Sequence, residues 1–214
     1  MTMAMPVHSL KHFTSMMEEL EAGRAEPSPM YSVLLYAPGN GIDGRLHAYM
    51  SSHWELMDGL TGRNWLLLAV EDLASARPAI EDFRPEDIYD IGRHLGVSPG
   101  AVPCLVFFVD PTHRNDTLVL QLREFLESEG PPTDEQLTDF FRSLATIVDS
   151  CADVPAGERL ARLRAGLERE WPVDSEWAER AKGIGGAVIG SVVAAGTTAT
   201  ALTSVVTALS RLFG

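Results

Sequence analysis

Few side chains in this sequence are of a type and spacing that could do chemistry. The two cysteines, Cys104 and Cys151, are too few for a disulfide framework. A thiol becomes a nucleophile when a helix N-terminus or a cation lowers its pKa. Cys104 directly follows Pro103 at the head of an apolar run, so it reads as a buried cysteine, with a redox thiol as the alternative. Cys151, late on a helix, has the same two readings. Gly39, Gly41 and Gly44 match G-x-G-x-x-G between a strand-like run and a helix-like one, which is the setting of a dinucleotide fingerprint. Asp43 would set a negative charge beside the pyrophosphate, and the acidic candidates Glu71 and Asp72 lie late. A glycine-rich turn is the plainer reading, with nucleotide binding as the alternative. Asp43, His47 and Ser51 at i, i+4 and i+8 invite a triad, but stacked along a helix they present the hydroxyl to solvent without oxyanion donors. A polar helical stripe explains them. His8 and His12 have metal-ligand spacing and no evident third ligand. No paired carboxylates or P-loop stand out, and no catalytic residue, cofactor or metal is assigned.

The most informative stretch carries no chemistry of this kind. From Gly183 to Ser210 the chain runs for 28 residues without a charge or a proline. As a helix it would extend about 42 Å, beyond the roughly 30 Å of a bilayer's hydrocarbon core. Trp177, Arg180 and Lys182 precede it and Arg211 follows, which suits interfacial anchoring. Gly186, Gly190 and Ala194 form a small-xxx-small row that lets helices approach closely. Ile184, Val188, Val192, Leu202, Val205, Val206 and Leu209 make an apolar stripe. Thr200, Thr203, Thr207 and Ser210 make a hydroxyl stripe that could face a pore. Such a run would insert in a bilayer, pack as a helical hairpin broken near Gly196-Thr197-Thr198 in the protein or in an oligomer core, or stay disordered.

The elements that must position these residues follow from periodicity. Residues 7–24 predict an amphipathic helix through Leu10, Phe13, Met16, Met17 and Leu20, ended by Gly23, Pro27 and Pro29. Tyr31–Tyr36 and Trp65–Val70 predict buried strands around a helix at about 45–60. Pro85 opens a further helix, Glu86 and Asp87 suit its first turn, Arg93 and His94 its last, and Gly96 its stop. Leu105–Val109 is the third strand. The turn after it is too short for a crossover, so Thr117–Leu122 returns antiparallel. Thr133 and Gln136 form a capping-box pattern ahead of a helix burying Leu137, Phe140, Phe141, Leu144, Ile147 and Val148. Residues 155–171 give a last helix through Leu160, Leu163, Leu167 and Trp171, either packed on the body or standing as a stalk. Trp171-Pro172 breaks it.

This order, with two parallel-type crossovers, then a hairpin and a closing helix, resembles the thioredoxin-like fold. The passage LGVSPGAVPCLVFF carries the likeness, because Val102–Pro103 sits where that family keeps a cis-proline. The resemblance covers roughly residues 30–150. It implies an α/β fold with a central mixed sheet of about four strands flanked by helices, here with a C-terminal helical extension. The family's Cys-x-x-Cys is missing. The junction of first strand and following helix reads APGNGIDGRLHAY, so disulfide exchange by the family mechanism is not available. The chain divides into an N-terminal helix and linker (1–29), a thioredoxin-like domain (30–153), a charged amphipathic helix and linker (154–182) and the uncharged tail (183–214).

Charge separates body from tail. The net charge is −13, and Arg211 is the only charged residue after Lys182, so residues 1–182 carry −14 and the tail +1. Such a body repels phosphate backbones and anionic headgroups, which argues against nucleic-acid binding. Two cysteines and an N-terminus without an apolar signal core suit a reducing cytoplasm. The expectation is a non-catalytic sensing or docking domain for a protein partner, coupled to a tail that meets the lipid bilayer, with a homo-oligomer implied by the glycine row. That design suits a membrane-disrupting effector of a bacterial toxin or defence system. The alternatives are a membrane-anchored or oligomeric adaptor, and a nucleotide-dependent or atypical redox enzyme.

Overall fold

The computed structural model describes residues 4–7, 9–23, 29–37, 41–62, 64–70, 85–111, 117–123, 131–171 and 193–195. The chain order is β1 (Ala4–Val7), α1 (Leu10–Ala22), β2 (Met30–Leu35), α2 (Gly41–Ser52), α3 (Trp54–Leu60), β3 (Trp65–Val70) and α4 (Pro85–His94). A 3-10 turn (Pro99–Ala101) leads to β4 (Cys104–Phe108) and β5 (Thr117–Gln121). Two helices, α5 (Asp134–Asp149) and α6 (Ala156–Glu170), and a short strand, β6 (Val193–Ala195), complete it.

One mixed sheet runs in the order β1-β3-β2-β4-β5-β6. The β1–β3 and β2–β3 pairs are parallel, and the β2–β4, β4–β5 and β5–β6 pairs are antiparallel. The result is an α/β fold, a five-stranded sheet flanked by helices with β6 added at its edge, compatible with a thioredoxin-like arrangement. The Val102–Pro103 peptide bond is cis.

Both faces of the sheet are covered, which explains why its strands read as unbroken apolar runs. Successive side chains point to opposite faces. Leu66 and Leu68 meet Phe13, Met16 and Met17 of α1 and Ile88 and Ile91 of α4. Leu67 and Ala69 meet the other layer, with Leu46 and Tyr49 of α2 and Phe140, Phe141 and Leu144 of α5. The buried Trp65 donates its indole N–H to Ser32 Oγ at 2.7 Å, satisfying two polar groups inside the core.

Several local expectations hold. Gly96 takes φ 75° after α4, where its backbone N–H reaches the Arg93 carbonyl. Thr133 and Gln136 form the reciprocal capping box of α5, and all six predicted side chains of that helix are buried. Other features differ. Ala4–Val7 form an edge strand that the sequence pattern does not predict. The predicted helix at 45–60 starts at Gly41, and α2 and α3 are separated at His53. Of the two placements open to the last helix, it takes the one packed on the body. Leu163 and Leu167 are buried, and Leu160 and Trp171 lie partly buried against the same core. Gly166 makes this approach possible, since a Cβ there would lie 2.5 Å from Ile147 Cγ2. Within the tail, Val193–Ala195 pair as strand where helical periodicity predicts helix.

Candidate functional site

The corner where a thiol site would sit is built by three elements. The C-terminal end of β2 delivers Tyr36 and Ala37. The first turn of α2 delivers Asp43, and the cis-proline step delivers Val102 and Pro103 into β4. Gly41 opens α2 with φ 70°, a conformation that glycine adopts without Cβ strain. Asp43 lies two residues into the helix, where a carboxylate complements the N-terminal partial charge.

Asp43 is buried and fully engaged. Its Oδ1 accepts the Ala37 backbone N–H at 3.0 Å, and its Oδ2 accepts Arg123 Nη2 at 3.0 Å. The same guanidinium nitrogen reaches the Val102 carbonyl at 3.4 Å. Arg123 therefore ties the start of α2 to the residue before the cis-proline. Its side chain is half-exposed, whereas that of Asp43 is 12 % exposed, so the carboxylate depends on this partner more than the reverse.

Cys104 stands beside this clasp, in register with Leu35 on β2 and Gln121 on β5, and is fully buried. Burial first, and the nearby Asp43 charge second, push its thiol up to about 12. A thiol of that acidity is protonated at neutral pH, so the corner offers no thiolate. Cys151 is also buried, donates to the Ile147 carbonyl at 3.3 Å, and has its thiol pushed up by burial. Among the described residues the corner holds backbone together through Asp43 and Arg123, with Cys104 buried beside them as the thiol.

The other candidates are dispersed. Gly41 and Gly44 lie inside α2, and Gly39 lies outside the described residues. Asp43 is bound by Ala37 and Arg123, while His47 packs its ring 5.9 Å from Tyr36 with Nδ1 buried. Ser51 is exposed, so the three residues share a helix face and assemble no triad. His12 lies on α1, His8 lies outside the described residues, and among those described no three His, Cys, Asp or Glu side chains cluster to hold a metal. Of the candidate tail residues, Ala194 is the one described, within β6. Gly186, Gly190, Ile184, Val188, Val192, Leu202, Val205, Val206 and Leu209 lie outside the described residues, as do Thr200, Thr203, Thr207 and Ser210. Among the described residues no helix is long and apolar enough to cross a membrane.

Two features escape the sequence pattern. Arg123 has no motif around it, and the signal for it is indirect, since a first-turn acid in an apolar setting demands a cation. The second is a groove of about 560 Å³ between α4 and the 3-10 turn, lined by Glu86, Tyr89, Arg93, Pro99 and Gly100. Its wall joins an acidic, an aromatic and a basic side chain of α4 to Pro99 and Gly100 of the 3-10 turn that leads to the cis-proline.

No family model, no curated protein and no solved structure matches this chain.

Proposed function

We propose that the chain is a thioredoxin-like docking domain without thiol chemistry, whose uncharged C-terminal segment acts on a membrane, as in an effector of a bacterial toxin or defence system. The observation that carries this reading is the 28-residue chargeless run joined to a body of net charge −14. A segment of that length and polarity needs shelter or lipid, and an acidic body is repelled by anionic headgroups. Triggered insertion reconciles the two better than constitutive anchoring. The buried Cys104 and the Asp43–Arg123 clasp support a non-catalytic body. The groove between α4 and the 3-10 turn, with Glu86, Tyr89 and Arg93 on its wall, suits an extended peptide of a protein partner that sets off the response.

The test is fractionation of the full-length protein beside a version ending at Lys182, with carbonate washing of the membranes. Retention of the full-length protein alone supports a membrane segment, and loss of membrane potential on induction separates an effector from an anchor. Full polarisation with the protein in washed membranes rejects the effector.

The second reading, an oligomeric adaptor with a sheltered tail, draws on the pairing of Val193–Ala195 with β5. Gly186→Leu with Gly190→Leu separates the two. Added apolarity preserves a lipid anchor, while added bulk abolishes a close-packed assembly.

A further inference from the structure

The strand β5 has the sequence TLVLQ, without charge or proline. Its residues Thr117 to Leu120 are buried, with Leu118 in the core beneath α5 and α6 and Val119 in the core beneath α1 and α4. A strand of this composition, left at a sheet edge, offers unpaired N–H and C=O groups to any chain that can pair with them. Natural edges are guarded by charge, proline or a bulge, and β5 has none of these guards along its five residues. Its outer side is taken by Val193–Ala195, in the antiparallel register Thr117–Ala195, Leu118–Ala194 and Val119–Val193.

Those three residues come from the middle of the chargeless run. Twelve of the residues from Gly183 to Ser210 are valine, isoleucine or threonine, and five are glycine. β-branched side chains favour strand, and glycine weakens helix, so local preference does not commit this run to a helix. The last helix described before the tail also meets this strand. Trp171 stacks on Phe140 with ring centroids 5.3 Å apart, and α6, which ends at Glu170, packs against β5.

We propose that the outer edge of β5 is a docking seat for residues 193–195 of the same chain, and that this seat holds the uncharged tail away from lipid and from other tails. This rests on the reading of the tail as a membrane segment. Strand pairing and helical insertion are mutually exclusive for Ala194, which belongs to β6 in one state and to the Gly186–Gly190–Ala194 row in the other. A three-residue strand contributes few backbone hydrogen bonds, each of modest net worth, so the seat is one a competing strand or a bilayer can empty.

The register supplies the test. Thr117 is buried with Oγ1 lacking a hydrogen-bond partner among the described residues, so Thr117→Cys is close to isosteric and removes no bond seen there. Full-length protein carrying Thr117→Cys with Ala195→Cys is oxidised mildly without lipid, beside a Thr117→Cys, Thr203→Cys control. The expected result is an intramolecular 117–195 disulfide in the monomer, formed at least ten-fold faster than the control. The oxidised protein is then expected to stay off phosphatidylcholine vesicles and off vesicles containing phosphatidylglycerol, with binding restored by reductant. Equal rates in the two variants overturn the seat. A disulfide found only between two molecules overturns it in favour of exchange with a second copy. Vesicle binding that is the same before and after reduction overturns the gating while leaving the tail's membrane role intact. A disulfide with no vesicle binding in either state overturns release of the tail by a bilayer alone and leaves the β5 seat standing.

Discussion

Replacing Gly166 by alanine tests whether the last helix belongs to the body. A Cβ at that position would sit 2.5 Å from Ile147 Cγ2. Carbon atoms in contact prefer about 3.5–4.0 Å, so α6 or α5 must give by roughly 1 Å or more. Ile147 is β-branched and buried, and its methyl cannot swing aside without leaving a preferred rotamer. Overpacking of this kind costs about 1–3 kcal/mol. Against it stands a helix-propensity gain of about 1 kcal/mol for glycine to alanine. The net expectation is a loss of up to about 2 kcal/mol, and more for Gly166→Val. Gly157, on the same helix with nothing within 4 Å of a Cβ, is the control, and Gly157→Ala should be neutral or slightly stabilising. Urea unfolding followed by tryptophan fluorescence reads both, since Trp65 is buried and Trp171 lies against Phe140. In an Ile147→Ala background the overpacking should vanish and Gly166→Ala become slightly stabilising, giving a coupling energy of about 1–3 kcal/mol. If Gly166→Ala stabilises the protein as much as Gly157→Ala does, α6 does not approach α5 as described, and the packed-helix account is wrong.

Raising the pH should destabilise the protein. The Cys104 thiol is pushed from 9.0 to about 12 in the folded state, so between these values the unfolded chain has lost a proton that the native chain keeps. Stability then falls by up to about 1.4 kcal/mol per pH unit as pH rises above 9, and Cys104→Ala should flatten that slope in urea titrations. At pH 8 a thiol reagent should modify Cys104 no faster than the protein opens, and rapid labelling of native protein would contradict its burial. Arg123→Ala should cost about 1–2 kcal/mol, discounted for the half-exposed guanidinium, because it strips the cation from buried Asp43. Arg123→Lys should recover part of that loss, since an ammonium restores a positive charge beside Asp43, and no recovery at all in the same unfolding assay would deny that Asp43 depends on that charge. Ser32→Ala should cost about 1–3 kcal/mol by leaving the buried Trp65 indole N–H without its acceptor, and a neutral result in thermal unfolding would count against that bond.

Much of the architecture was legible because local physics writes it into the chain. The three central strands read as apolar runs, since a sheet covered on both faces needs no polar alternation. The ends of α4 and the start of α5 read clearly, since the proline, the capping box and the αL glycine act within one turn. The lack of a thiol before α2 was plain from residue types alone, and so was the contrast of an acidic body with an uncharged tail.

Contacts between distant segments were not legible. Ala4–Val7 is four residues with a proline, and it becomes strand only because β3 lies beside it. Helical periodicity ran on past His53, where the chain instead breaks between α2 and α3. The partnership of Asp43 with Arg123 spans 80 positions and leaves no periodic trace. By itself, then, the sequence determined the type and order of most elements, the missing nucleophile and the segregation of charge, because these depend on residue identity and short spacing. Only the tertiary structure decided the deep burial of Cys104, the seating of α6 against Ile147 and the pairing of Val193–Ala195 with β5. Backbone hydrogen bonds between strands and close approaches between helices are made by whichever surfaces the fold brings together, and no single stretch of chain records them.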